Sequence, residues 1–384
     1  MNKILAVILA GGRGERMGDL CRSDPKPLLT MAGNLKLIDF CLSNCLHSGV
    51  KQIGVINSSP NDRIAQHIAA WTTSCNERLH IQTLPPLHGP YTGTAEAVWQ
   101  NAAFINKSGA ECIIVMAADH VYRMDYRRFL QFHCAMKADM TMAVTRVQFE
   151  EASRYGIVTT DTDDRVLEFR EKPAAPSSNL ASMGVYIFNR ETLLKCLAED
   201  AVSKYSAHDF GYSVVPRLLD TNRVFAYRFN GYWRDIGNIE SYYRTNLELI
   251  DKLALLKVSK RWPALGNAGT SSFTPGRNIV HSLVSPGNII KGYVENSVLS
   301  PDVVINEGSV VKNSIIMSAS MIGESNFIEG CIIQENTSTG QVCNIGINGD
   351  QQNARSAITI IGPGISVPSF TTIFRGNNVV SHNS

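Results

Sequence analysis

Two arginines stand inside a run of four glycines in "LAGGRGERMGDL", residues 9–20, directly after the apolar stretch "KILAVI". Gly11, Gly12 and Gly14 let backbone N–H groups approach an anion closely, and Arg13 and Arg16 offer forked donors matched to phosphate oxygens. The segment fits neither familiar phosphate loop. Counted from Gly11, the second glycine of G-x-x-x-x-G-K-[ST] falls on Arg16; counted from Gly12, the third glycine of G-x-G-x-x-G falls on Met17. What remains is a phosphate-binding turn after a first strand, with a plain solvated turn as the alternative.

The other residues able to do chemistry are spread along the chain. Lys26 lies in "SDPKPL", between two prolines that stiffen the backbone around one cation. Asp119 and His120 close the apolar run "VMAADHVY", and Asp235 stands in "GYWRDIGNIESYY". A carboxylate at the end of a buried strand suits Mg2+, which takes one or two carboxylates together with phosphate oxygens. Each has a structural alternative as a helix cap. Asp119 precedes "MDYRRFLQF", where Asp125 suits that role better, and Asp235 precedes a helix expected near Asn238. Glu171 and Lys172 in "EFREKP" read either as a site pair or as a surface ion pair. His208, Asp209 and Phe210 in "SAHDFGYSVVP" read either as site residues or as another helix start. There is no Gly-x-Ser-x-Gly elbow, no HExxH and no cysteine in a nucleophile context, which argues against a covalent hydrolase.

Positioning such groups requires a sheet. "KILAVIL", "KQIGVI", "ECIIVMA", "DMTMAVTRV", "SMGVYIF" and "RVFAYRF" read as strands, rich in Val, Ile and aromatics. Between them, "IDFCLSNCLHSG", "NDRIAQHIAAW", "TAEAVWQNAAFINK" and "MDYRRFLQFHCAMK" have helical spacing. The alternation predicts an α/β domain with a mostly parallel sheet covered by helices on both faces. "NIESYYRTNLELIDKLALL" is expected to close it, with "SKRWPALGNAGTSSFTPG" as linker. Beyond Asn278 the period changes to six: Val298, Val304, Val310, Ile316, Ile322 and Ile328, then Ile361, Val367 and Ile373. A six-residue step predicts a parallel β-helix with these side chains on its inner axis. "ENTSTGQVCNIGINGDQQN" reads as an inserted loop.

Composition narrows the class. Of 384 residues, 36 are Lys or Arg and 34 Asp or Glu, so a net charge of +2 gives no footprint for nucleic acid. Nine cysteines, odd in number and without a CxxC pair, read as free thiols of a reducing cytoplasm. Cys41 and Cys45 read as packing residues rather than metal ligands. "ILAVILA" reads as a buried strand, not a signal peptide, because it runs straight into the glycines. No membrane partner is expected.

These motifs carry a resemblance. "LAGGRGERMGDL", "PKPL", "LIDFCLSNCLHSG", "YTGTAEAV", "AADHVY", "FEEASRYGI", "EFREKP", "LASMGVYIFN", "HDFG" and "YWRDIGNIESYY" occur in this order along the chain. The chain resembles the bacterial ADP-glucose pyrophosphorylases, the glucose-1-phosphate adenylyltransferases among the sugar nucleotidyltransferases. The resemblance implies a Rossmann-like nucleotidyltransferase domain over 1–257, a linker over 258–277 and a left-handed parallel β-helix over 278–384. It implies that ATP and glucose 1-phosphate give ADP-glucose and pyrophosphate, with Mg2+, in a cytoplasmic homotetramer or a hetero-oligomer with a paralogous subunit, for glycogen-type α-glucan synthesis. Gly11, Gly12, Arg13, Arg16 and Lys26 would then meet the ATP phosphates, and Tyr91 and Gly93 would lie along the nucleotide. Asp119 and Asp235 would hold Mg2+. Lys172 would take the sugar phosphate, while Glu171, Ser182, Tyr186, Asp209, Phe210 and Trp233 would line the glucose pocket. Arg13, Lys26 and Asp119 would be the catalytic residues.

The chain departs from the family pattern at several places. Asp24 and Pro25 replace an Arg-Ala pair before Lys26, Met17 and Cys21 replace leucine and threonine, Ala118 replaces glycine, and Asn34 lies where sugar-phosphate-activated members carry a lysine. A nucleotidyltransferase using UTP or dTTP, and a non-catalytic regulatory subunit of the same fold, are the neighbouring readings. Acyl transfer on the β-helix is a third, disfavoured because His281 and His382 flank the repeat rather than lie within it.

Overall fold

The computed structural model describes residues 4–12, 14–22, 24–58, 63–74, 79–256, 278–348 and 358–380. They form two compact units: 4–12 with 38–235, and 14–37 with 236–256 and the described residues beyond 278. The linker expected over 258–277 lies outside the described residues.

In chain order the elements to α8 are β1 (Ile4–Leu9), β2 (Thr30–Met31), β3 (Leu35–Lys36), α1 (Leu37–His47), β4 (Gln52–Ile56), α2 (Arg63–Ser74) and β5 (His80–Leu84). Then come α3 (Thr94–Gln100), α4 (Ala102–Lys107), β6 (Cys112–Ala117), β7 (His120–Tyr122), α5 (Tyr126–Ala135), β8 (Met140–Arg146), β9 (Gly156–Thr160) and β10 (Val166–Glu171). β11 (Leu180–Asn189), α6 (Arg190–Ala201), α7 (Val215–Thr221), β12 (Val224–Arg228), β13 (Trp233–Asp235) and α8 (Ile239–Leu256) complete the series.

The first unit is built on a nine-stranded sheet. Its main path runs β10-β9-β11-β6-β1-β4-β5, with β8 on β11 and β12 on β8. β6, β1, β4 and β5 are parallel, as their continuous apolar runs predict for strands buried on both faces. Beyond β6 the sheet is mixed, because β11 runs antiparallel to β6, β8 and β9. β11 changes register between Ser182 and Tyr186, and Gly184 inside that break has φ +63°, the left-handed region open to glycine. The helix expected over 94–107 is two helices, separated at Asn101 (φ −102°, ψ 17°). The amide of Asn101 donates to Ala97 O at 2.9 Å, competing locally with the helix ladder. Among the described residues no helix is long and apolar enough to cross a membrane.

The second unit holds three parallel ladders of six, five and five short strands between Ile279 and Phe374, the faces of a β-helix. Its interior contains Leu299, Ile305, Val311, Ile316, Ile322, Ile328, Ile333 and Ile345, then Ile361, Val367 and Ile373. The expected six-residue series is therefore right from Ile316 onward and one residue early before it. Val304 and Val310 are only half-buried, while their neighbours Ile305 and Val311 face inward. A five-residue step from Val311 to Ile316 shifts the phase, and successive side chains on a strand point to opposite faces. The inserted loop expected over 335–353 also needs correction. Ser338–Thr339 and Asn344–Ile347 are strands of a regular coil, with buried Ile345 in phase, and 349–357 lie outside the described residues. Serines stack at one corner: Ser297 N donates to Ser282 Oγ, Ser314 N to Ser297 Oγ and Cys331 N to Ser314 Oγ, each at 3.1 Å.

In the same unit α8 touches both the β2–β3 hairpin and the coils. The Tyr242 hydroxyl donates to Thr30 O at 2.6 Å, and Ala32 N donates to Asn246 Oδ1 at 2.9 Å. The Tyr243 hydroxyl donates to Asn313 O, and His281 Nε2 lies 2.7 Å from Asp251 Oδ1.

Candidate active site

The glycine loop begins at the carboxyl edge of the parallel strands. Past the strand ends, Ala10 N donates to Ile56 O at 2.8 Å and Ala118 N to Leu9 O at 3.0 Å. This is the edge where open α/β sheets bind ligands. Gly11 O accepts the Ser58 hydroxyl, while Gly12 is exposed with open space where a Cβ would be. Arg13 lies outside the described residues. Gly14, Arg16 and Lys26 fall in the second unit. There Arg16 is exposed, and Lys26 is buried in a single 3-10 turn, Lys26–Leu28, after extended Pro25. Burial pushes the Cys21 thiol up to about 11, with the Lys26 charge opposing the shift and Asp24 adding to it.

In the first unit, β7 and β13 pair antiparallel and place Asp235 opposite His120 and Trp233 opposite Tyr122. The pairing brings Asp119 and Asp235 together. His120 Nε2 lies 3.4 Å from Asp119 Oδ1 and 3.7 Å from Asp235 Oδ1, and one ligand atom from each of the three residues falls within a 4.8 Å sphere of mutual distance. The helix caps that competed for these carboxylates are other residues. Asp125 caps α5, accepting from Arg127 N at 3.0 Å, and Asn238 accepts from Ser241 N at 2.8 Å ahead of α8. Two carboxylates on separate strands, both half-buried, fit a hard divalent cation that completes its shell with phosphate oxygens and water.

The residues expected at the sugar form a connected group around Tyr186. Its ring stacks on Phe210 with centroids 5.9 Å apart, and its hydroxyl accepts from Ser182 Oγ at 3.4 Å. Burial pushes the Tyr186 phenol far above its ordinary range, and the charges of Glu171 and Asp209 add to this. Glu171 Oε1 lies 2.9 Å from Lys172 Nζ, which stands 5.8 Å from the Tyr212 ring centroid. Burial pulls the Lys172 ammonium down, yet the hydrogen bond and charge of Glu171 outweigh it and raise the group. Lys172 is therefore a firm cation, paired with one carboxylate and still half-exposed. Trp233 packs against His120 at 5.5 Å and Tyr155 at 5.3 Å, and Lys172 N donates to Tyr155 O at 3.0 Å.

Asp209 also has a structural task. Its carboxylate accepts from Gly211 N, Tyr212 N and the Thr94 hydroxyl, so it caps the turn that leads into α7. Gly93 is required by a close approach: a Cβ there would lie 2.2 Å from His208 O, the carbonyl that Ala95 N and Glu96 N both donate to. Tyr91 is half-buried, its hydroxyl accepting from Asn101 at 3.4 Å. Sequence reading named His120 without giving it a role, and did not single out Tyr155, Gly184 or Gly211. His120 had a signal, lying next to Asp119; Gly184 sits in the register break of β11, whereas Tyr155 lies just before β9 and Gly211 lies in the turn that Asp209 caps.

Comparison with known proteins settles the family. A model described as nucleotidyl transferase matches residues 5–252, and one described as GlmU-like, C-terminal hexapeptide, matches residues 271–367. This chain belongs to the nucleotidyl transferase family. It is 39% identical to a glucose-1-phosphate adenylyltransferase of Desulfitobacterium hafniense over 98% of this chain and 97% of that one. Proteins of the same name from Acetivibrio thermocellus and Fervidobacterium nodosum are each 38% identical, covering 98% and 100% of this chain and 92% and 96% of theirs. The parallel coils are thus the hexapeptide left-handed β-helix that follows a Rossmann-like nucleotidyl transferase sheet.

Proposed function

We propose that this chain transfers the adenylyl group of ATP to glucose 1-phosphate, giving ADP-glucose and pyrophosphate. The observation that carries the proposal is the convergence of Asp119 and Asp235 at the carboxyl edge of the sheet, with Trp233 packed on His120 and on Tyr155, whose carbonyl accepts from Lys172 N. The end-to-end likeness to glucose-1-phosphate adenylyltransferases supports the choice of substrates.

The chemistry asks little of acid–base groups. A sugar phosphate is largely dianionic at neutral pH, its second pKa being about 6, so its oxygen attacks the α-phosphorus without a general base. The new O–P bond forms as the bond to the β-phosphate bridge breaks, and the electron pair leaves on pyrophosphate. Charge neutralisation and in-line positioning supply the rate. In this reading Gly11, Gly12, Arg13, Arg16 and Lys26 meet the triphosphate, and Tyr91 and Gly93 border the nucleotide. Lys172 meets the sugar phosphate, and Glu171, Ser182, Tyr186, Asp209, Phe210 and Trp233 surround the glucose. Asp119 and Asp235 hold Mg2+, which when bound neutralises phosphate charge. A cytoplasmic homotetramer serving glycogen-type glucan synthesis completes the reading, with the domains divided at 1–257 and 278–384.

The test is pyrophosphate release from purified protein with glucose 1-phosphate and Mg2+, comparing ATP, UTP, dTTP and GTP. The reading expects ATP to exceed the others by about tenfold or more, about 1.4 kcal/mol of discrimination. Preference for UTP or dTTP moves the chain to a sister activity, and silence with all four defeats the proposal.

A further inference from the structure

We propose that His120 is a third ligand of the metal site and tilts its preference from Mg2+ toward Mn2+. The inference rests on the reading of Asp119 and Asp235 as metal carboxylates. The Nε2 distances of 3.4 and 3.7 Å to the two carboxylates exceed a good N–H···O bond, about 2.7–3.2 Å. They fall between the spacing of neighbouring ligands on an octahedral ion with bonds of about 2.1 Å, about 3 Å, and that of opposite ones, about 4.2 Å, so the three groups face a common centre that small side-chain shifts would close.

The ring is held at this position. Trp233 meets it edge-on at 83°, and a Cβ on Gly184 would come within 3.2 Å of its Cε1, so the register break in β11 makes the space it occupies. His120 is 8% exposed, and its Nδ1 has no hydrogen-bond partner among the described residues. A carboxylate-only site suits Mg2+; an imidazole, a softer donor, favours a first-row transition ion over Mg2+, and Mn2+ is the one that keeps an octahedral, oxygen-rich shell.

The test is pulsed EPR of Mn2+ added to the full-length protein without nucleotide, with isothermal titration of Mn2+ and Mg2+. The proposal expects a directly bound 14N signal and Mn2+ affinity about tenfold or more above Mg2+. In His120→Asn the nitrogen signal disappears and Mn2+ affinity falls about fivefold or more, while Mg2+ affinity changes less than about threefold. A wild-type spectrum without nitrogen coupling, whether Mn2+ fails to bind or binds through oxygen alone, overturns the proposal and needs no variant. So does coupling that persists in His120→Asn with native near-ultraviolet circular dichroism. Pyrophosphate release is measured separately, so a nitrogen-ligated metal in a protein without adenylyl transfer defeats the function proposed above and leaves His120 standing.

Discussion

Gly211 approaches Glu171 so closely that a Cβ built on it would lie 2.6 Å from Glu171 Oε2 and 2.9 Å from its Cδ. The same carboxylate holds Lys172 through Oε1 at 2.9 Å. Any side chain at 211 therefore displaces the carboxylate and, with it, the lysine assigned to the sugar phosphate. Gly211→Ala is expected to raise the KM for glucose 1-phosphate about tenfold, about 1.4 kcal/mol, with a smaller change in kcat. Steady-state kinetics at saturating ATP decide it, and an unchanged KM would remove Lys172 from that role.

Asp119 and Asp235 act on one ion in the proposed reaction, so their losses should not add. Asp119→Asn and Asp235→Asn are each expected to lower kcat about 100-fold or more, about 2.7 kcal/mol, with the double variant close to the worse single one. Pyrophosphate release in Mg2+ measures this. A fully active Asp235→Asn would show that the pairing of β7 and β13 serves structure alone.

The phase of the β-helix is testable in adjacent residues. Ile305 is wholly buried and Val304 half-buried. Ile305→Ala is expected to cost about 2–5 kcal/mol, and Val304→Ala less than about 1 kcal/mol. Urea unfolding followed by circular dichroism separates them. Equal costs would contradict the assignment of Ile305 to the interior.

His133 gives a pH dependence with a definite sign. It is buried, with Nδ1 2.8 Å from Thr141 Oγ1 and Nε2 3.2 Å from Asn189 Oδ1. Burial lowers its pKa below 6.5, against opposing contributions from Asn189 and Asp139. Between the lowered folded value and 6.5 the unfolded chain binds more protons, so stability rises with pH through that window. The contribution is complete above the window and is lost as the pH falls through it. His133→Gln should flatten this part of the profile of urea midpoints between about pH 5 and pH 7.5. An unchanged slope would assign the pH dependence elsewhere.

The strands of the first unit were legible because burial on both faces leaves long Val/Ile runs such as Cys112–Ala117 and Ile4–Leu9. The coil repeat was legible as a period but not as a phase. Val304–Ile305, Val310–Val311 and Ile315–Ile316 place two aliphatic residues side by side, and composition does not say which one faces inward. In the site, the motifs marked individual carboxylates, but their meeting depends on β13 pairing with β7 across more than a hundred residues, and no local pattern encodes that. Asp209 shows the opposite case, since its helix-start reading is visible in sequence and is present in the fold. The break at Asn101 was hidden because its neighbours keep helical spacing throughout.

The contacts of α8 bear on how this polypeptide can be cut. The nucleotidyl transferase match ends at residue 252, inside α8, and the hexapeptide match begins at 271. Severing the chain between them would strip the Tyr243 hydroxyl of Asn313 O and Asp251 of His281, while leaving Thr30 and Ala32 tethered to the same helix. Domain grafts that exchange the repeat for a foreign one must therefore carry α8 with its own coils or rebuild its underside. The boundary visible in the one-dimensional text is a poor place for the scissors.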